Sequence, residues 1–252
     1  MPFSLLSQGP PRRRHIQANM PRRKRIVVPG IPLHITQRGA RRSTVFRDKE
    51  DREVYLRLLA QASRKFEMRI YAYCLMTNHT HIVAIPNRPD SLWLTYHRVH
   101  SIYGSLFNAK YEICGRLWEE RPRSAPMDES HFLAAVRYVE QNPVRAGLVR
   151  RAEDYQWSSA RFHCGIVKSD RLLDAAWPET ERLERWSDWL TGESDTGIED
   201  LVRQNTLSGQ PCGDATFIDR LENLLCSRIR RRKPGPKPRM NSGVHGCDPL
   251  IP

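Results

Sequence analysis

Two strand-like runs joined by only three residues constrain this chain more than any other feature. Arg69 to Leu75 is rich in aromatic and β-favouring residues, and His79 to Ile85 ends at Pro86. The link, Met76-Thr77-Asn78, is short enough for a turn or an irregular bulge. An earlier strand reads at Ile31 to Gln37, where Ile31, Leu33 and Ile35 alternate with other residues before Arg38-Gly39. Between these strands Asp48 has the look of a helix N-cap, with Asp51 three residues on. Val54, Leu58 and Ala62, widened by Tyr55 and Leu59, then mark an amphipathic helix to about Lys65.

A longer helix reads from Ser91 to about Ile113, with Leu92, Tyr96, Val99, Tyr103 and Leu106 on one stripe. Gly115 to Glu129 reads as irregular. A helix starting at Ser130 carries Phe132, Val136, Tyr138 and Val139 and stops near Asn142, because Pro143 follows. Pro143 to Trp157 reads as a loop. From Gly192 to Gly213 the chain is polar and Gly-rich, and Ala215 to Arg230 is an amphipathic helix built on Phe217, Ile218, Leu221, Leu224 and Leu225. These shifts divide the chain into a basic extension at 1–20, expected to be disordered, a main domain at 21–165, a helical appendage at 166–230 and a basic Pro-rich tail at 231–252.

The charge is informative once located. The net +13 sits at the two ends: seven Lys or Arg fall within residues 1–25 and seven within 228–239, with no acid in either segment. The body between them balances at 27 basic and 27 acidic residues. Such runs bind polyphosphate through counterion release, without sequence choice, although a solvated tail would carry the same charge. No stretch approaches the roughly 18 apolar residues of a membrane-spanning helix. The apolar patch from Pro2 to Gln8 precedes its charges, the wrong order for a secretory signal. The six cysteines are scattered with no CxxC pair. An intracellular, cytoplasmic and nucleoid-associated protein is expected.

Three segments could carry chemistry. Asn78-His79-Thr80-His81 places His79 and His81 on one face of a strand, where two imidazoles can hold a divalent ion. Chance pairs of this kind are common. Tyr138 and Asn142 are four apart on a helix. A tyrosine hydroxyl can attack a phosphodiester, and an asparagine carbonyl can join a metal's ligands. Spacing alone favours Tyr138 as a packing residue and Asn142 as a C-cap. Gln37-Arg38-Gly39-Ala40-Arg41-Arg42 sets a glycine among arginines, which suits either a close phosphate approach or a plain turn.

The ordered segments "HITQRGARRSTVF", "AYCLMTNHTHIVAIP", "GRLWEERPRS", "RYVEQNPVRAGLV" and "YQWSSARFH", from about Pro21 to His163, resemble the single-tyrosine HUH transposases, most of all the REP-associated tyrosine transposase branch. The resemblance implies an α+β domain of ferredoxin-like type, a small antiparallel sheet flanked by helices, here followed by the helical appendage. It implies Tyr138 as nucleophile, with His79, His81 and Asn142 as ligands of Mg²⁺ or Mn²⁺. The implied activity is nicking and rejoining of single-stranded, hairpin-bearing DNA through a 5′-phosphotyrosine, by a monomer or homodimer with no membrane partner. Arg38, Arg41 and Arg145 are candidates for backbone contacts, and Lys24, Arg25, Arg231, Arg232 and Lys233 for non-specific affinity. Two departures stand out. Thr80 replaces a bulky hydrophobe, and Glu119, Glu120 and Pro122 argue against DNA contacts in their loop. The rival readings are a non-catalytic nucleic-acid-binding regulator derived from a transposase and a metal-dependent hydrolase using activated water.

Overall fold

Six elements in the order strand, helix, strand, strand, helix, strand build the centre of the molecule. The computed structural model describes residues 25–174, 185–192 and 196–230. The elements are β1 (Leu33–Arg38), α1 (Lys49–Lys65), β2 (Met68–Leu75), β3 (His79–Pro86), α2 (Ser91–Tyr111) and β4 (Arg123–Pro126). The strands form one antiparallel sheet in the order β2-β3-β1-β4. This is the expected α+β arrangement of ferredoxin-like type. The chain continues through α3 (Glu129–Glu140), α4 (Asn142–Arg145), α5 (Ala160–His163), α6 (Trp186–Thr191), α7 (Thr196–Ser208) and α8 (Ala215–Leu225).

The two-residue period of the strands sorts the sheet into two faces. Leu33 and Ile35 of β1 join Ile82 and Ala84 of β3 in one cluster with Tyr55, Leu59, Tyr96 and Val99, under α1 and α2. The opposite face carries His34, His79, His81 and Val83 and is covered by α3 and α7. Thr80, fully buried, is a neighbour of Tyr55 on the α1 face, away from the histidines. Asp48 caps α1 in a reciprocal capping box with Asp51, so the predicted start holds in atomic detail. The Met76–Asn78 link closes as a tight turn, with Met76 N–H donating to the His79 carbonyl at 2.9 Å.

The structure corrects four readings. Leu106 is 50% exposed, and Phe107, four residues after Tyr103, takes its place in the core. The segment at 115–129 contains β4, whose Arg-Ser-Ala-Pro has no strand pattern and pairs because β1 offers a free edge. The Gly-rich stretch at 192–213 holds α7, with Val202 and Thr206 buried four apart. The helix expected to reach Arg230 ends at Leu225, where Cys226 turns left-handed. The helices after α5 lie on the rest of the molecule. α7 packs on β1, β4 and α3, and Phe217 and Leu221 of α8 cluster with Val28 and Ile31. Among the described residues no helix is long and apolar enough to cross a membrane.

Candidate active site

β3 brings His79 and His81 together as its pleat requires, with ring centroids 5.0 Å apart. β1 pairs beside it, His34 opposite Val83 and Thr36 opposite His81, which sets His34 next to His81. The His34 and His81 rings are nearly parallel, and His34 Nε2 lies 3.1 Å from His81 Nδ1. α3 crosses this face and lays Tyr138 against both rings, each centroid 5.5 Å from its own.

Hydrogen-bond directions fix which nitrogens are available. Thr206 Oγ1, 2.7 Å from the Val202 carbonyl, must donate to it, since a carbonyl oxygen only accepts. The same hydroxyl, 2.7 Å from His34 Nδ1, therefore accepts a proton from that nitrogen. A neutral His34 then presents a lone pair at Nε2, which accepts from His81 Nδ1–H and leaves His81 Nε2 unprotonated. Asn78 Oδ1, 2.6 Å from His79 Nδ1, makes that nitrogen the donor, and Asn78 Nδ2 donates to the Arg42 carbonyl, which holds the amide in this orientation. His79 Nε2 is left as the free lone pair. Burial keeps all three rings neutral. It pushes His34 down to about 3, with Arg145 adding to the effect, and His79 down to about 4, with help from Arg38. Burial, then the neighbouring His34 and His79, lowers His81 well below the usual histidine range. Two neutral imidazoles with oriented second nitrogens are a suitable half-shell for a divalent ion.

A third candidate donor comes from an interruption in the helix. α3 ends at Glu140 and the short α4 starts at Asn142, with Pro143 in its first turn, and Asn142 Nδ2 donates back to the Tyr138 carbonyl at 2.9 Å. Its Oδ1 remains for another partner. Asn142, His79, Tyr138, Met76, Arg145 and Glu199 share the wall of a cleft of about 420 Å³. His81, 7% exposed, sits behind that wall in ring contact with His79 and Tyr138. The described residues contain no group of three or more His, Cys, Asp or Glu able to share an ion, so the set relies on the amide.

Tyr138 is 8% exposed, and burial raises its hydroxyl above the usual tyrosine value, while the Arg145 charge opposes the rise. The Arg145 guanidinium lies over the Tyr138 ring, 4.3 Å from its centroid, donates to the Tyr138 carbonyl and pairs with Glu199 at 3.0 Å. Arg38 stands opposite His79 in the strand register. Arg41 is exposed in a left-handed turn, with φ of 53°. Gly39 serves that turn: a Cβ there would collide with the Ser43 carbonyl and approach Val45 Cγ1 at 2.6 Å, so its empty side is filled by the protein's own chain. Arg25 lies in a different cleft. Lys24, Arg231, Arg232 and Lys233 lie outside the described residues.

Sequence reasoning missed His34, Thr206 and Glu199. His34 shares parity with Thr36 and Arg38 on the polar side of β1, a signal that could have been read. Thr206 gives no such signal. The other side of α3 is an anchor. Glu140, fully buried, accepts from Ser159 Oγ at 2.6 Å and Trp186 Nε1 at 2.8 Å and lies 2.5 Å from His163 Nδ1. Arg137 and Gln141 donate to the Leu190 carbonyl.

Comparison with known proteins places residues 27–142 within the model of the family described as IS200-like transposase. A solved structure of a REP-associated tyrosine transposase bound to a REP hairpin superposes with a TM-score of 0.49 at 16% identity, over 66% of this chain and 98% of that one. No curated protein matches this sequence.

Proposed function

We propose that the chain is a transposase of the IS200-like kind, whose family model matches residues 27–142, and that it nicks and rejoins single-stranded, hairpin-bearing DNA through a covalent bond to Tyr138. The observation that carries this reading is the meeting of Tyr138 with His79, His81 and Asn142 at one cleft, all from a single chain.

His79 and His81, through Nε2, and Asn142, through Oδ1, would hold Mg²⁺ or Mn²⁺. When bound, such an ion draws charge from a phosphoryl oxygen and orients the phosphate. Tyr138 Oη attacks phosphorus, an O–P bond forms, and the bond to the 3′ oxygen breaks. The tyrosine's proton is balanced by the one taken up at the released 3′-hydroxyl, and the 5′-phosphate stays on Tyr138. The linkage conserves the phosphodiester, so an incoming 3′-hydroxyl reverses the step and joins new ends. Burial keeps the phenol protonated at rest. The Arg145 guanidinium over its ring favours the anion that develops at attack. Arg38, opposite His79 in the strand register, and Arg41 on the adjoining turn would contact the DNA backbone beside the site.

Incubation with labelled, hairpin-bearing single-stranded DNA and Mn²⁺ tests the proposal, with repetitive palindromic elements as the first substrates. A protein–DNA adduct that survives denaturation and disappears in Tyr138→Phe is expected. Cleavage without an adduct would mean hydrolysis by activated water. A mobility shift with intact DNA would mean a regulator.

A further inference from the structure

On the opposite side of the sheet from the histidines, α2 and the Leu117–Pro122 segment enclose a second cleft of about 480 Å³. That is within the size range of small-ligand sites. Its walls are aromatic. Trp93 is 56% exposed and stacks on His97 at 5.2 Å with an interplanar angle of 11°, and His100 stacks on Trp118 at 4.3 Å and 21°. An indole left this open at the mouth of a cleft is a platform without a cover.

Three polar atoms around the cleft point the same way. Tyr96 Oη, Trp118 Nε1 and Arg25 Nε are buried without a hydrogen-bond partner among the described residues. Tyr96 is 2% exposed and Trp118 9%. Buried donors are seldom left unpaired. Three beside one cleft describe a ligand that has a flat face and hydrogen-bond acceptors. The charge adds an anion. Arg25, Arg116 and Arg121 line the cleft against Glu119 and Glu120, which leaves an excess of positive charge, and the Arg25 guanidinium is pushed down to about 10, first by burial and then by the Arg121 charge.

The cleft does not end there. Arg25, Glu120, Arg121 and Pro122 also line a neighbouring one of about 280 Å³, which adds Arg123 and reaches Thr206 on α7. Thr206 is the residue that holds His34. The two clefts thus share Arg25, Glu120, Arg121 and Pro122, and their combined lining reaches from the stacked aromatics to Thr206 with arginines outnumbering acids.

We infer that the α2 cleft is a subsite for one unpaired nucleobase of single-stranded DNA, stacked on Trp93 and hydrogen-bonded by Trp118 and Tyr96, with a flanking phosphate on Arg25. A flat ring with acceptor atoms joined to a phosphate is the ligand that satisfies all three features. The Glu119-Glu120-Arg121-Pro122 loop, from which the sequence argued DNA away, is one wall of the subsite. The inference rests on the proposed function only for the choice of DNA. It needs no chemistry at Tyr138.

The test uses the full chain carrying Tyr138→Phe, so that cleavage cannot interfere. Binding is followed by anisotropy with two labelled probes, a blunt DNA hairpin and the same hairpin with a short single-stranded overhang. 2-Aminopurine is placed at each overhang position in turn. Trp93→Ala, an exposed site that leaves the core intact, should weaken the overhang probe by about 5- to 100-fold while the blunt probe is unchanged. It should also abolish the 2-aminopurine quenching found at one position. Trp118→Phe keeps the stack and loses the donor, so a smaller loss is expected. Arg25→Gln should lower the slope of log affinity against log salt by about one. Equal binding of the overhang probe by Trp93→Ala and its parent, or equal losses on both probes, would overturn the inference. Loss of the covalent adduct in the Tyr138-containing protein with overhang binding intact would sink the catalytic reading alone.

Discussion

Thr206→Val tests the relay that orients His81. The substitution keeps shape at a position 1% exposed and removes one hydroxyl, the acceptor for His34 Nδ1–H at 2.7 Å. His34 then has two choices. If it keeps its proton on Nδ1, a buried N–H is stranded, which costs about 1–3 kcal/mol. If the proton moves to Nε2, that nitrogen donates to His81 Nδ1, the 3.1 Å bond survives, and the His81 proton must sit on Nε2. The second choice strands a lone pair at Nδ1 instead of an N–H, the smaller of the two costs, so the variant should fold but present the wrong nitrogen. Ion binding at His81 Nε2 must first reverse the switch, and 1–3 kcal/mol corresponds to about 5- to 150-fold weaker binding. Loss of an outer partner of a metal-bound histidine has effects of about 10–100-fold. Mn²⁺ titration calorimetry reads the affinity, and long-range ¹⁵N–¹H spectra of the metal-free protein read the tautomer. Thr206→Ser, which keeps the hydroxyl, should bind like the parent. A valine variant with parental Mn²⁺ affinity and with His81 still protonated at Nδ1 would refute the relay.

Three further outcomes follow from the same contacts. Glu140→Ala strands the donors of Ser159 and Trp186 in the interior and should lower stability by about 3 kcal/mol in urea unfolding, with Glu140→Gln recovering part of it. Gly39→Ala drives a methyl into the Ser43 carbonyl and should cost about 1–3 kcal/mol, read as a lower melting temperature. His34, at about 3 in the folded protein, lies below its ordinary unfolded value near 6.5. Below that value the unfolded state binds the proton and the folded state does not, so stability is full above pH about 6.5 and falls as the pH drops towards 3. The slope from this one residue is about 1.4 kcal/mol per pH unit, and a metal-free urea midpoint that stays flat between pH 6 and pH 4 would contradict it.

The sequence exposed the elements whose side chains alternate or repeat and hid those that form by default. β2, β3 and α1 were legible because each buries a full face, and the Asp48 cap announced α1. β4 was not, because a four-residue strand joined to a waiting edge needs backbone rather than pattern. α7 was masked by the glycines around it, although Val202 and Thr206 keep helical spacing. The pairing of His79 with His81 follows from strand parity. The approach of Tyr138 depends on how α3 crosses the sheet, and the motif resemblance, not the spacing, pointed to it. Thr206 lies 172 residues from His34 in sequence, and only the packing of α7 on β1 joins them.

The same C-terminal helices also fix the position of α3. One face of α3 and its extension carries Tyr138, Asn142 and Arg145 towards the cleft. The other buries Glu140, and Arg137 and Gln141 grip the carbonyl of Leu190 in α6. A phenol aimed at a phosphate gains nothing from flexibility, since misplacement by about 1 Å can cost about 100-fold in rate. The helix is accordingly gripped from both sides, by α6 behind it and by α7 through Glu199 and Arg145 in front. Both grips come from residues beyond the 27–142 segment that carries the family pattern. The proposed ligands and nucleophile are therefore local to that segment, while the rigidity and the histidine tautomer on which the proposed chemistry depends are supplied by the C-terminal helices.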